Sequence, residues 1–373
     1  MKWAFLFLAS SFLFGTDCCP PGALKTPSCT CKQFEGQTGK LYSAAPCQSC
    51  APCSAVWTGG VSLLAWQARE EGLAFAFDNS PEASAASVNI DGELVDIDFN
   101  WEPAFKIDLG CLFPDRSCDF STRWTYFYTH STRTAHASPN ADSTGLFPLW
   151  VLPSGNTAPL QLYGKARGSW QLHLNEIDLE MGYHPFLTPA LSIRFDGGLK
   201  LLSADQRFRV DYSDGITAGG VHLVSAQAVL HNRALGIGPR LGFDSKWRLG
   251  KGWSLIGNLS GSLPLCSFKI RRNDYDVSER IPAGTASFVD SFFKQSVWVF
   301  RPVLEAALGF GWDACFGCRK QYAFGLQANY ELQYFWEQNL MGMLVNEAII
   351  HQVFQPRGDL QLHGATLAFT FGY

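Results

Sequence analysis

From Tyr322 to Trp336 the chain alternates between two chemistries. Every even position is apolar or aromatic, the odd positions through Gln333 are Ala, Gly, Gln, Asn, Glu and Gln, and Phe335 is the one departure. A period of two belongs to a strand with one apolar and one polar face. The stretch is far longer than the usual strand of about 5–6 residues, whereas about 9–11 tilted residues are what a strand needs to cross a bilayer. The pattern recurs along the chain. It predicts an all-β protein, a transmembrane antiparallel β-barrel of at least 10 strands, the alternative being a soluble barrel or sandwich of shorter and less aromatic strands.

Ten amphipathic segments carry this reading. The first, Trp57 to Ala68, is less regular, with an extension through Leu73, Phe75 and Phe77 left open. The second and third are Trp101 to Phe113 and Asp119 to His130. The fourth, Ser169 to Tyr183, starts with Trp170, Leu172 and Leu174 on its apolar face and then switches phase to Ile177, Leu179 and Met181. A bulge near Asn175–Glu176 accounts for such a switch, with a break or a short helix as the alternative. The remaining segments are Ala190 to Leu201, Leu235 to Trp247, Trp253 to Leu265, Val297 to Trp312, the stretch ending at Trp336, and His363 to Tyr373. Short connections near 114–118, 184–189, 249–252 and 314–320 alternate with long ones near 79–100, 131–166, 203–233, 272–295 and 338–360. Short periplasmic turns and long extracellular loops are the outer-membrane arrangement, and an even strand count puts both termini on the periplasmic side. Asp91-Gly92 and Asp214-Gly215 are hairpin signals inside the long connections, marking either loop hairpins above the membrane or extra wall strands, so that ten strands is a minimum. Trp57, Trp101, Trp247, Trp253, Trp298, Trp312 and Trp336 fall at segment ends, as interfacial girdles require.

Targeting and cysteine usage fit the same envelope. Lys2 precedes an apolar run from Trp3 to Phe14 and then small residues, which predicts a signal peptide over 1–16. Residues 17–54 read as a cysteine-rich periplasmic arm holding Cys18, Cys19, Cys29, Cys31, Cys47, Cys50 and Cys53, and residues 55–373 as the barrel. Disulfides are the default for exported cysteines. Cys111 and Cys118 flank a tight turn and are candidates for a hairpin staple, Cys315 and Cys318 for a loop disulfide, an intermolecular cross-link or a redox pair, and Cys266 is left without a partner. Cys47, Cys50 and Cys53 have zinc-like spacing, but no histidine precedes residue 130, so no metal is expected. Losing Lys2 with the signal shifts the net charge from −4 to about −5, which offers no basic footprint for nucleic acid.

The polar faces define the candidate lumen: Glu102, Lys106, Asp108, Arg123, Arg194, Asp196, Lys200, Arg240, Asp244, Lys246, Arg301, Glu305 and Glu331. Water or mutual pairing must satisfy such charges within a membrane. They form either a charged constriction that sets ion preference or a filled interior of ion pairs. Eight-stranded barrels are filled and sixteen-stranded ones hold a channel, so ten strands lie nearer the filled end.

The succession Ala65–Ala76, Trp124–His130, Asn175–Gly182 and Gly236–Gly242 resembles the chlamydial major-outer-membrane-protein-like and Legionella-type pore-forming outer-membrane proteins, in matching order across nearly the whole mature chain. The resemblance implies a porin of a Gram-negative, Chlamydia-like envelope, passing ions and small hydrophilic solutes, and disulfide cross-linking with other cysteine-rich envelope proteins. The alternative is a structural or adhesive cross-linked barrel without an open pore. Outer-membrane lipid is the surrounding partner; a homo-oligomer stays open, since trimers are common among porins and no interface signature is visible. No cofactor and no enzymatic activity are expected. The eight histidines are scattered, and Gly309 to Ala314, which formally matches a dinucleotide-binding motif, precedes a turn and a strand instead of a helix. His130, His173 and Asp196 are the residues to place against an outer-rim protease reading.

Overall fold

The computed structural model describes residues 56–79, 92–113, 118–139, 144–150, 161–188, 190–217, 222–280, 285–316, 322–347, 350–354 and 357–372. The signal peptide, the arm with its seven cysteines, Cys318 and the Cys315 side chain lie outside the described residues. Seventeen strands follow in order: β1 (Val56–Glu70), β2 (Ala76–Asn79), β3 (Gly92–Val95), β4 (Trp101–Phe113), β5 (Cys118–His136), β6 (Gly145–Pro148), β7 (Gln161–Leu187), β8 (Leu191–Thr217), β9 (His222–Gly250), β10 (Trp253–Ser262), β11 (Leu265–Arg280), β12 (Thr285–Phe300), β13 (Val303–Phe316), β14 (Tyr322–Asn339), β15 (Met343–Glu347), β16 (Ile350–Phe354) and β17 (Gly358–Gly372).

These strands close a ring of ten antiparallel walls. β1, β4, β5, β7, β8 and β9 follow as neighbours, and β17 returns to β1 from Thr58↔Gly372 to Glu70↔Leu360. β9 pairs with β11 along its N-terminal part and with β10 along its C-terminal part. β10 with β11, and β12 with β13, are each one wall strand interrupted at a proline, Pro264 and Pro302. A proline has no N–H for the ladder, so the strand breaks there. The Arg301 amide donates to the Pro264 carbonyl at 3.0 Å and carries the pairing past both breaks. All ten predicted segments lie in this wall. Lys251 (φ 52°) and Gly252 (φ 86°) form the short β9–β10 turn with positive φ at both positions, the backbone twist a tight hairpin needs.

One half of the barrel is apolar outside and charged inside; the other half is the reverse. In the first half Leu241, Leu308, Met181, Leu109 and Phe369 are exposed on the outer face, while Lys200, Glu176, Asp178 and Arg240 are buried within. Trp57, Trp247 and Trp253 mark one edge of this belt and Trp101, Trp298 and Trp336 the other. On β4 the belt runs from Trp101 to Phe113, roughly 40 Å along the strand and about 30 Å once tilted, which matches a hydrocarbon core. Past its outer edge the walls continue. Trp66, Phe127, Trp170, Leu172, Leu174, Leu202, Phe208, Val210 and Phe335 now point inward and are buried, while Asp205, Arg207, Arg209 and Arg233 point outward and are exposed.

The structure revises several of the sequence readings. The phase switch in the fourth segment is not a bulge: β7 pairs with β5 without a register shift from Cys118↔Tyr183 to His136↔Lys165. The strand is regular and its surroundings change, from lipid outside Ile177 and Met181 to water outside Gln171 and His173. Phe335 departs from the alternation of β14 because it belongs to the inward-facing apolar core. Much of the supposed long loops is wall: β5 runs to His136, β8 to Thr217, and β7 and β9 begin at Gln161 and His222. Asp214-Gly215 lies inside β8, and residues 218–221 lie outside the described residues. The Leu73–Phe77 extension of the first segment is not wall either; Leu73 and Phe75 leave β1 and fold into the lumen.

Glu70, above the belt, illustrates the apolar interior. Its carboxylate accepts from the Gln206 side chain at 2.9 Å, and among the described residues no cation pairs with it. Burial pushes its pKa well above the ordinary 4.5, and the nearby Asp359 and Glu71 carboxylates push the same way. The fold therefore holds this proton where an unfolded chain would release it. Its contribution is full below about pH 4.5 and is lost as pH rises. Glu70→Gln is expected to unfold like the parent at pH 4 and to be more stable than the parent at pH 8, read from urea midpoints at the two pH values.

Candidate functional site: a charged vestibule beneath an apolar plug

The membrane-embedded half encloses a cavity of about 470 Å³ lined from most of the wall strands. Of the predicted lumen residues, Lys106, Asp108, Arg123, Arg194, Arg240, Asp244, Lys246, Glu305 and Glu331 line it. Asp196 and Lys200 lie in the wall of buried ion pairs around it. Glu102 and Arg301 do not line it. Glu102 pairs in register with Trp66 above the cavity, and Arg301 sits over the Phe268 ring and bonds Glu337 at 2.6 Å.

Two cations organise the deep layer. The Lys200 ammonium lies 3.2 Å from Glu176, 2.9 Å from Asp178 and 2.6 Å from Glu305. The Arg240 guanidinium lies 2.5 Å from Asp196 and 2.9 Å from Glu180. Nearer the short-turn rim, Arg194 meets Asp119 at 2.8 Å, Asp244 at 2.7 Å and Glu180 and Asp196 at 3.3 Å. Arg123 meets Asp108 at 2.6 Å, and Lys246 meets Asp313 at the same distance. The His184 ring bonds Asp119 Oδ2 at 2.8 Å, an oxygen that Arg194 Nε also meets at 2.9 Å.

Glu176, Asp178, Glu180, Asp119, Asp313 and His184 are members that the sequence reading missed. The first three form an acidic run at period two, Glu176-x-Asp178-x-Glu180, a signal that was legible had the fourth segment been read as one regular strand. With them the vestibule and its walls carry the carboxylates Asp108, Asp119, Glu176, Asp178, Glu180, Asp196, Asp244, Glu305, Asp313 and Glu331 against the permanent cations Lys106, Arg123, Arg194, Lys200, Arg240 and Lys246. The balance is acidic.

Two glycines make room for this network. A Cβ on Gly182 would stand 2.3 Å from Arg194 Nε and 2.4 Å from Asp119, and one on Gly242 would stand 2.2 Å from Asp196. Gly182→Ala and Gly242→Ala are each expected to push an ion pair off its geometry and to cost about 1–3 kcal/mol. Urea titration of the folded barrel, followed by tryptophan fluorescence, measures the loss.

Above the charged layer the interior closes. Lys106 forms the boundary, its ammonium 4.9 Å from the centre of the Trp66 ring. The plug combines inward wall residues with segments that leave the wall. Trp150 is fully buried, its indole N–H donates to the Ala74 carbonyl at 2.7 Å, and its ring meets Phe208 at 5.1 Å. The Tyr212 hydroxyl donates to the Phe75 carbonyl and accepts from the Leu149 and Trp150 amides at 3.2 and 3.3 Å. Arg272 of β11 donates to the Trp150 carbonyl, to the Gly342 carbonyl at 2.9 Å and to Asp274 at 2.8 Å. One guanidinium thus ties two interior segments to the wall.

The succession of motifs and the closed ring agree with a comparison of families. The model built for the Legionella pneumophila major outer membrane protein precursor matches residues 50–371. The chain belongs to the Legionella major outer membrane protein family. It is accordingly an outer-membrane protein. No curated protein matches it. Among solved structures, the outer membrane protease OmpT from Escherichia coli aligns at 12% identity over 85% of this chain and 96% of its own, with a TM-score of 0.41. A Pseudomonas aeruginosa FadL homologue aligns at 7% identity over 86% and 90%, with a TM-score of 0.28. The Pseudomonas putida toluene transporter TodX aligns at 9% identity over 87% and 90%, with a TM-score of 0.26. These likenesses concern the barrel and nothing further.

The remaining candidates of this family member are dispersed. His173 packs against Tyr128 on the outer face at 4.4 Å between ring centres, His130 is exposed on the same strand as Tyr128, and Asp196 is in the lumen. The three do not converge. Cys111 stands opposite Phe120 and Cys118 opposite Phe113, so the two cysteines are diagonal and not directly opposed, and no disulfide joins them in this structure. Diagonal neighbours lie about 7–8 Å apart, too far for a bridge without backbone movement. Gly309 to Ala314 is strand throughout.

Proposed function

We propose that the protein is an outer-membrane channel for ions and small hydrophilic solutes, shut at its outer end in the state described. The observation that carries this reading is the acidic vestibule, where charged side chains from around the ring face a common cavity instead of a packed interior. Charges in a membrane-embedded lumen are satisfied by water or by partners, and a ring of them sets which ions pass. The excess of carboxylates favours cations. In a potassium chloride gradient across a planar bilayer, the reversal potential is expected to show a severalfold preference for potassium over chloride. Asp108→Asn together with Asp244→Asn, both at partly exposed vestibule positions, is expected to reduce it. Anion preference would sink the charge argument.

A second reading is a closed envelope barrel, and the fully buried plug favours it. A demonstrably folded barrel that stays silent under every condition would support that alternative. On either reading the arm with Cys18, Cys19, Cys29, Cys31, Cys47, Cys50 and Cys53 supplies thiols for cross-linking to other cysteine-rich envelope proteins.

A further inference from the structure

Just beyond the outer edge of the apolar belt, one side of the barrel presents outward-facing cations in two rows. In the upper row Arg207 of β8 pairs with His231 of β9, His231 with Arg271 of β11, and Arg271 with Lys294 of β12. Two residues nearer the membrane, Asp205 pairs with Arg233, Arg233 with Lys269, and Lys269 with Ser296. Strands about 4.8 Å apart make each row roughly 15 Å wide, and the rows lie roughly 7 Å from one another.

The patch carries an excess of cations, with Asp205 as the carboxylate in its two rows. Arg207, Arg233, Lys269, Arg271 and Lys294 are exposed, and among the described residues none of the five makes an ion pair. The neighbouring Arg209, by contrast, is paired with Asp211 at 2.9 Å. Like charges opposed across a strand pair destabilise a sheet, so the fold tolerates a repulsion here that it avoids in the lumen. Half-burial first, and then the flanking Arg207 and Arg271 guanidiniums, hold the His231 pKa below the ordinary 6.5 against the opposing pull of Asp205. Across the ring, the outer ends of β14, β17 and β1 mix Glu337, Asp359 and Glu71 with Arg69 and Arg357, the last 3.5 Å from Glu337.

Directly beneath the cations, the same strands expose Leu235, Ile237, Trp298 and Phe300 to the bilayer. Cations above and acyl-sized apolar surface below, on one face, form an amphipathic site. Guanidinium and ammonium groups suit phosphate oxygens, and basic side chains at a membrane surface recruit anionic lipid.

We propose that this face of β8, β9, β11 and β12 binds a phosphorylated glycolipid of the outer leaflet, its phosphates on Arg233, Lys269, Arg271 and Lys294 and its acyl chains on the belt below. The full chain, folded in detergent, is titrated with diphosphoryl lipid A, with the same lipid stripped of both phosphates, and with inorganic phosphate, using native mass spectrometry. The diphosphoryl lipid is expected to bind at least about tenfold more tightly than the stripped one. Replacing Arg233, Lys269, Arg271 and Lys294 together by serine is expected to weaken it on the order of 500-fold, whereas Arg69→Ser with Arg167→Ser, exposed elsewhere on the wall, leaves it unchanged. The single variants Arg271→Ser and Lys294→Ser, each expected to lose about fivefold, serve if the fourfold variant does not fold. Equal binding of the two lipids, equal loss in the control variant, or displacement of the lipid by millimolar inorganic phosphate would overturn the proposal.

Discussion

Lys200→Met is expected to destabilise the barrel by about 3–5 kcal/mol, the cost of removing one partner from a buried ionic cluster. Lys200 is fully buried, and its ammonium is the group that Glu176, Asp178 and Glu305 share within 3.2 Å. Without it, three carboxylates face one another in a poorly hydrated layer, and Arg240, held by Asp196 and Glu180, reaches Asp178 and Glu305 only at 3.7 and 3.9 Å. A methionine of similar length fills the volume, so the loss reports charge and not a cavity. The urea midpoint of the unheated, folded species is the readout. Adding Glu176→Gln to Lys200→Met should recover part of the loss, because it removes one uncompensated charge. A variant as stable as the parent would mean that water reaches this layer freely.

The second large effect concerns the plug. Trp150→Ala together with Arg272→Ala is expected to open the outer half without unfolding the wall. Trp150 carries the contacts to Ala74, Phe208 and Tyr212, and Arg272 is the tie from the wall to the Trp150 and Gly342 carbonyls. Truncating a buried tryptophan costs about 3–5 kcal/mol. That cost falls on the interior segments, because neither Trp150 nor Gly342 is in a wall strand and Arg272 contributes only its side chain. The hydrogen-bonded ring from β1 to β17 is untouched. Proteoliposomes holding the variant should swell severalfold faster than the parent in a small sugar, with unchanged mobility of the folded band on unheated gels. Equal swelling would mean that other inward residues, such as Trp66, Phe127 and Trp170, close the lumen by themselves.

The ring was legible in the sequence because alternation survives in every wall strand. What alternation does not state is which face meets lipid. Along β7 the even positions stay inside from Trp170 to Glu180, yet they change from aromatic to acidic as the outside changes from water to lipid. Read with the rule that apolar means lipid, this regular strand looks broken, and its acidic run drops out of the lumen. The same rule turned the outer parts of β8 and β9 into loops, since their outward faces carry Asp205, Arg207, Arg209 and Arg233. Nine of the vestibule residues were found where the rule holds, in the membrane-embedded half. Arg301 was misplaced because Pro302 breaks the strand beside it, which no periodicity announces. The ties made by Arg272 and Tyr212 run to backbone carbonyls of distant segments, and composition carries no trace of such partners.

The most direct test of a channel shut by its plug is a paired single-channel recording of the parent and the Trp150→Ala, Arg272→Ala variant in the same bilayer. The parent should rest closed with brief, cation-preferring openings, and the variant should hold the same ion preference with far longer openings. Sustained openings of the parent, or silence from both barrels when both are shown to be folded, would contradict the account.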